Sequence, residues 1–160
     1  MPESVKPSER RSSARTSLVW EALLPVLDGA ADVLDIGGGT GGFAVRVAEL
    51  GHRVTVVDPS PDALAALDRR ARELGVGVTG QQGDVSTLLD VAGPDSADVV
   101  LCHGVLEVVD DPAAALATIR TVLRPSGTLS LLVAQRHAAV VARAMAGHFA
   151  QALAMLDDPA

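Results

Sequence analysis

Aromatic side chains are nearly missing from this sequence: one Trp, two Phe and no Tyr, together 2% of 160 residues. Any core must therefore be aliphatic, and with 48% hydrophobic and 21% charged residues the chain has the balance of a compact protein rather than a disordered one. Basic charge is also in short supply. Thirteen Lys and Arg face twenty Asp and Glu, a formal net charge of −7, so there is no overall electrostatic footprint for nucleic acid and any such contact must be local. The single cysteine, Cys102, excludes an internal disulfide and sits in an apolar run, which reads as a small buried filler. The four histidines show no ligand spacing, so no metal site is expected. No apolar run approaches the roughly 20 residues of a membrane span, and residues 1–15 lack the apolar stretch of a signal peptide; the expectation is a cytoplasmic protein without membrane contact.

What is present is an alternation. After a polar arm at 1–15, residues 16–160 read as one domain. Leu18, Val19, Leu23, Leu24 and Leu27 have helical spacing, stopped by Asp28-Gly29. Residues 32–36 form a short apolar strand, 43–50 a helix, 53–57 a β-branched strand ending at Asp58, and 61–74 a helix closed by Gly75. Strands are expected at 76–79, 97–101 and 128–133, with helices at 112–123 and 137–156 and a Pro125-Ser126-Gly127 turn before the fifth strand. Nearly continuous apolar strands alternating with helices predict an α/β fold, a doubly wound Rossmann-like parallel sheet of about five strands in the order 3-2-1-4-5. In that order strand five is an edge, although Leu129, Leu131, Leu132 and Val133 make it look central. An apolar edge invites a covering element, a homodimer partner or further chain.

Ligands of such sheets bind beyond the carboxyl ends of the strands, and the informative residues cluster there. Gly37, Gly39 and Gly42 satisfy G-x-G-x-x-G, a weak signal that suits a pyrophosphate as well as the carboxylate of an amino acid. Asp35 separates the two: a carboxylate repels pyrophosphate but suits an ammonium, unless it merely bonds the glycine-loop amides. Asp58, beside Pro59, stands where an acidic group takes ribose hydroxyls, or where it caps the next helix. Gly83-Asp84-Val85 offers a carboxylate, a backbone amide and an apolar surface for an adenine, or a plain turn. His103 leaves strand four near the reacting position, or is a hydrogen-bonded structural group.

Val33 through Gly41, Val56-Val57-Asp58, Gly83-Asp84-Val85 and Leu123-Arg124-Pro125-Ser126-Gly127-Thr128-Leu129 together resemble class I S-adenosylmethionine-dependent methyltransferases along nearly the whole chain. His103 through Pro112, with Leu129-Ser130-Leu131 and Ala146 through Phe149, is similar to the tRNA carboxymethoxyuridine methyltransferases. The resemblance implies S-adenosylmethionine as cofactor, held by Arg15, Asp35, Gly37, Gly38, Gly39, Gly41, Asp58, Pro59, Gly83, Asp84, Val85 and His103, with Arg15 on its carboxylate. It implies a tRNA or small-molecule acceptor; Arg136 and His137, at the mouth of strand five, either attract such an acceptor or form a solvated helix start. An acceptor carboxylate, already ionised at neutral pH, needs no general base, so no catalytic acid or base is assigned. The family's Tyr-Asn-Ala-His is Ala134-Gln135-Arg136-His137 here, and the family's further C-terminal strands are lacking. Two other readings stay open: a nicotinamide-dependent oxidoreductase using the same glycine loop, and a truncated or degenerate domain that binds cofactor without turnover.

Overall fold

The computed structural model describes residues 7–30, 32–145 and 147–157, with the side chains of 7–15 and 142 left out. Five parallel strands, β1(Asp32–Ile36), β2(Arg53–Asp58), β3(Val78–Gln82), β4(Ala97–His103) and β5(Leu123–Leu132), form one sheet in the order β3-β2-β1-β4-β5. This is the expected doubly wound topology. β1 and β4 at its centre are almost wholly buried, and aliphatic clusters lie on the two faces. One face holds Leu23, Leu27, Val45, Val47 and Leu67 under α1(Pro7–Leu27), α2(Ala44–Glu49) and α3(Pro61–Leu74). The other holds Leu88, Ile119 and Val122 under α4(Leu88–Ala92) and α5(Pro112–Val122). Cys102 is fully buried in this second cluster, and burial pushes its thiol up to about 11, as befits an inert filler.

Local chemistry accounts for most boundaries. Ser60 and Asp111 cap α3 and α5 by accepting from the amides of Ala63 and Ala114, each followed by proline in the first turn. Gly75 ends α3 in the left-handed conformation.

The structure departs from the sequence reading at α4, a short helix the sequence did not announce, and in four further places. α1 begins at Pro7, inside the segment read as a polar arm, because Ser and Arg carry no strong signal against helix. β3 lies at 78–82 rather than 76–79, paired with β2 through Val78 to Gln82; Gly80 and two glutamines hide a strand whose side chains are mostly exposed. β5 starts at Leu123, pairing with Ala97 before a register shift that expels Pro125-Ser126-Gly127 as a bulge with Ser126 at φ 69°. The last helix is two: α6(Arg136–Met145) and α7(Phe149–Asp157) separate at Gly147, whose φ of 81° no helix continues through. β5 is the sheet edge, with Leu131 and Val133 exposed.

Candidate functional site

Main-chain bonds running just past the strands tie the carboxyl end of β2 to those of β1 and β3, and that of β4 to that of β5. Gly37 N–H donates to Val57 O, Gly83 N–H to Asp58 O and Gly104 N–H to Leu132 O. These bonds hold the loops in one rim around two cavities. The first, about 660 Å³, is lined by Asp35, Gly37, Gly38, Phe43, His103 and Glu107, with Thr16 and Val19 of α1 and Gln135 at the start of α6. The second, about 770 Å³, is lined by Asp58, Pro59, Asp84, Val85, Val57 and Val105. Gly37, His103 and Gly104 line both. A ligand with two chemically distinct ends can therefore span the pair, and the volumes are those of small-molecule pockets.

The glycine loop is shaped by its neighbours. Gly37, Gly39 and Gly41 have positive φ, whereas Gly42 does not. A Cβ at Gly38 would lie 2.5 Å from Asp35 Oδ2, and one at Gly41 would collide with Leu67 Cδ1, while Gly42 has open space. The third glycine of the dinucleotide-type spacing is thus not the one the fold requires. Gly41 is.

Asp35 lies beneath Gly38, 4% exposed, and accepts no hydrogen bond among the described residues. Burial, and then the negative charge of Asp58, push its carboxyl up to about 7. The alternative that it bonds the loop amides is not what the geometry contains. That task falls to Asp58, whose Oδ2 accepts from Gly39 N–H at 2.9 Å and Oδ1 from Ser60 N–H at 2.9 Å. A carboxylate has about four acceptor sites, so two remain on Asp58 for a ligand.

Asp84 makes the turn that was its plainer reading: its Oδ1 accepts from Ser86 N–H, Ser86 Oγ–H and Thr87 N–H. The Ser86 bonds hold this carboxyl below the usual range. It also borders the second cavity beside Val85, so the two readings coexist. Gly83 is needed because a Cβ there would meet Thr87 Oγ1 at 2.6 Å. His103 shares a 3.0 Å hydrogen bond between Nε2 and Ser130 Oγ and meets Phe43 edge-on at 5.1 Å. Burial lowers its pKa, which favours the neutral ring.

Arg15 lies in α1, but its side chain is outside the described residues. Arg136 is turned elsewhere: its guanidinium donates to Met155 O and Leu156 O at the end of α7, where a helix leaves its last carbonyls unpaired. It acts there as a cap. Glu107, Phe43, Thr16 and Val19 were not singled out by the sequence, although all line the first cavity. Glu107 accepts from Ala134 N–H at 2.5 Å and so ties the loop after β4 to the end of β5. Phe43 stands in a ring chain, 6.2 Å from Trp20, over which Arg46 lies at 4.0 Å. Two of the chain's three Trp and Phe residues thus stand side by side next to the glycine loop, and their scarcity elsewhere was the available signal. No group of three potential metal ligands occurs among the described residues. No described helix is long and apolar enough to cross a membrane.

Sheet order and strand-end cavities define a Rossmann-like domain of the class I methyltransferase type. Residues 34–131 match the family described as methyltransferase domain, and this chain belongs to it. Family membership carries S-adenosylmethionine as the cofactor and leaves the nicotinamide reading without support. The tRNA 5-carboxymethoxyuridine methyltransferase of Escherichia coli K12 is 34% identical over 150 residues, 87% of this chain and 55% of that protein. A ubiquinone biosynthesis O-methyltransferase of Xanthomonas euvesicatoria is 35% identical over 119 residues, 73% of this chain and 48% of that protein. The chain thus spans about half the length of the curated relatives it matches. Among solved structures, an S-adenosylmethionine-dependent methyltransferase from Mesorhizobium loti is 28% identical, with a TM-score of 0.55 over 68% of this chain and 51% of that one. The [4+2]-cyclase SpnF is 31% identical, with a TM-score of 0.66 over 76% of this chain and 44% of that one.

Proposed function

We propose that this chain binds S-adenosylmethionine across the two cavities and transfers its methyl group to a tRNA or small-molecule acceptor entering from the first. The observation that carries the reading is Asp35, a buried carboxylate without a hydrogen bond among the described residues, opening into a cavity beneath a glycine loop. A buried anion left this way is costly unless a cation completes it, and the cofactor's ammonium is such a cation. A pyrophosphate is not.

The remaining residues fit the rest of the molecule. Asp58 holds the ribose hydroxyls with its two spare acceptor sites, while its amide bonds keep Gly39 in place. Val57, Val85 and Val105 form an apolar slot for the adenine, with the second oxygen of Asp84 at its rim for the exocyclic amine. His103 and Gly104, common to both cavities, border the point where the two ends of the cofactor join. The cofactor supplies a sulfonium-activated methyl to an in-line nucleophile. The chain's own contribution is to hold donor and acceptor close in a site walled by α1 and the start of α6. Acceptors of the named relatives, a carboxylated tRNA uridine and a ubiquinone precursor, define the two candidate classes.

Isothermal titration with S-adenosylmethionine and with S-adenosylhomocysteine tests the cofactor reading, Asp58→Ala serving as the disabled form. A labelled-donor assay against bulk tRNA and a small-metabolite pool tests the acceptor. Cofactor binding with no label transferred to either pool identifies a binding domain without turnover, and binding of NADH instead of the methyl donor overturns the proposal.

A further inference from the structure

The α6–α7 hairpin has two unlike sides. Across it, Arg136 donates to Met155 O and Arg143 Nη1 donates to Gln151 Oε1 at 2.6 Å. These pairs set an antiparallel register in which Val140 is level with Ala152, and both are buried. In a helix the next residue is turned about 100° from its predecessor. In antiparallel neighbours that rotation carries both followers of a contact pair to the same side. Arg143 and Gln151 mark the polar side. Val141 and Leu153, then Met145 and Phe149, are the level pairs on the opposite one, with Leu156 extending the row.

All five are exposed: Val141 56%, Met145 84%, Phe149 71%, Leu153 60% and Leu156 50%. Together they show about 600 Å² in one patch, at the upper end of what a monomer leaves to solvent. A standard interface takes about 800 Å² per partner, so these five side chains supply the greater part of what one partner of a stable dimer contributes. Charge points the same way. The chain carries −7, yet residues 136–157 contain Arg136, Arg143 and only Asp157 among ionised groups. The hairpin is a segment where two acidic copies can meet without repulsion.

We propose that two copies of this chain associate through these faces, hairpin against hairpin, as a four-helix layer around a two-fold axis, rather than through the exposed edge of β5. Because α6 begins at the wall of the first cavity, with Gln135, Ala138 and Ala139 lining it, such a layer also braces the acceptor side of the site.

Sedimentation equilibrium of the full chain from about 1 to about 100 µM, the weak end of standard interfaces, tests this. The expected result is a concentration-dependent mass of two chains. The double variant Met145→Glu/Phe149→Glu should raise the dissociation constant at least about 100-fold by burying unpaired charge, with S-adenosylhomocysteine affinity unchanged as a check of folding. Leu74→Glu, at an equally apolar but distant site, should leave the dimer intact. In a second measurement, Met145→Cys should form an intermolecular disulfide on mild oxidation. A chain monomeric throughout the range, a double variant still dimeric, or a Leu74→Glu that dissociates it equally would overturn the proposal.

Discussion

β1 begins and nearly ends with an aspartate, and the two could hardly be treated more differently. Asp32, at the amino end of the sheet, accepts from Arg53 at 2.7 Å and lies 2.8 Å from Arg124, which also pairs with Asp98. The hydrogen bonds from Arg53 lead in holding its carboxyl below the ordinary range. Asp35, three residues on, is walled in by the glycine loop and pushed up to about 7. At one end of the strand charge is neutralised within the fold. At the other it is left without a hydrogen bond among the described residues, at the wall of a cavity, which is the feature on which the proposed cofactor site rests.

The largest effect that would break this contrast is in the pH dependence of folding. Between about pH 4 and pH 7 the folded chain keeps a proton on Asp35 that the unfolded chain has lost, so the stability of the ligand-free protein should fall as pH rises through that window and level off above it. Three pKa units correspond to about 4 kcal/mol as an upper bound. Asp35→Asn should flatten the curve in urea titrations from pH 4 to pH 8, while weakening cofactor binding. Affinity of the natural chain for S-adenosylmethionine should drop as pH falls below about 7, because the ammonium needs the ionised form; an affinity insensitive to pH would disconnect Asp35 from the ligand.

Next in size is Asp58→Ala, which removes two ligand contacts and the anchor of Gly39. S-adenosylhomocysteine affinity should decline by about 100-fold or more, hydrogen bonds to charged groups being worth about 1.5–3 kcal/mol each. Calorimetry reads it directly. The glycine loop sharpens the comparison further. Gly41→Ala meets Leu67 at a positive φ and should cost about 2–3 kcal/mol of stability, whereas Gly42→Ala, in open space, should change it by less than about 0.5 kcal/mol. Equal costs would restore the dinucleotide spacing. Smallest is Asp32→Asn, which should lower stability by no more than about 1 kcal/mol, since the cluster is partly solvated, and leave cofactor affinity untouched. Because the carboxyl of Asp32 is depressed, its contribution is present above about pH 4 and is lost as pH falls below that.

Legibility followed the range of the interactions. The strand-end positions of Asp35, Asp58 and His103 were readable because each stands at or next to the end of an apolar run, that of Asp84 only from the Gly83-Asp84-Val85 turn, and strand ends in a parallel sheet converge by topology. Glu107 was not, since the bond that fixes its role comes from the main chain of Ala134, twenty-seven residues away, and a backbone amide donor leaves no mark in the sequence. Arg136 misled for the same reason. Charge beside a site looks like a ligand contact until the end of α7, twenty residues on, claims it. Gly147 was passed over because an apolar stripe continues on both sides of it, although a left-handed residue cannot be carried within a helix.

What the sequence determined by itself is the strand–helix alternation, the sheet order and the set of groups at the strand ends, governed by interactions within a few residues or by the handedness of parallel crossovers. Only the tertiary structure decided which of those groups has a partner. Whether a carboxylate is held by two arginines or buried beneath a glycine at a cavity wall depends on what chain segments far apart bring to it, and that difference is what moves Asp32 and Asp35 in opposite directions along one strand.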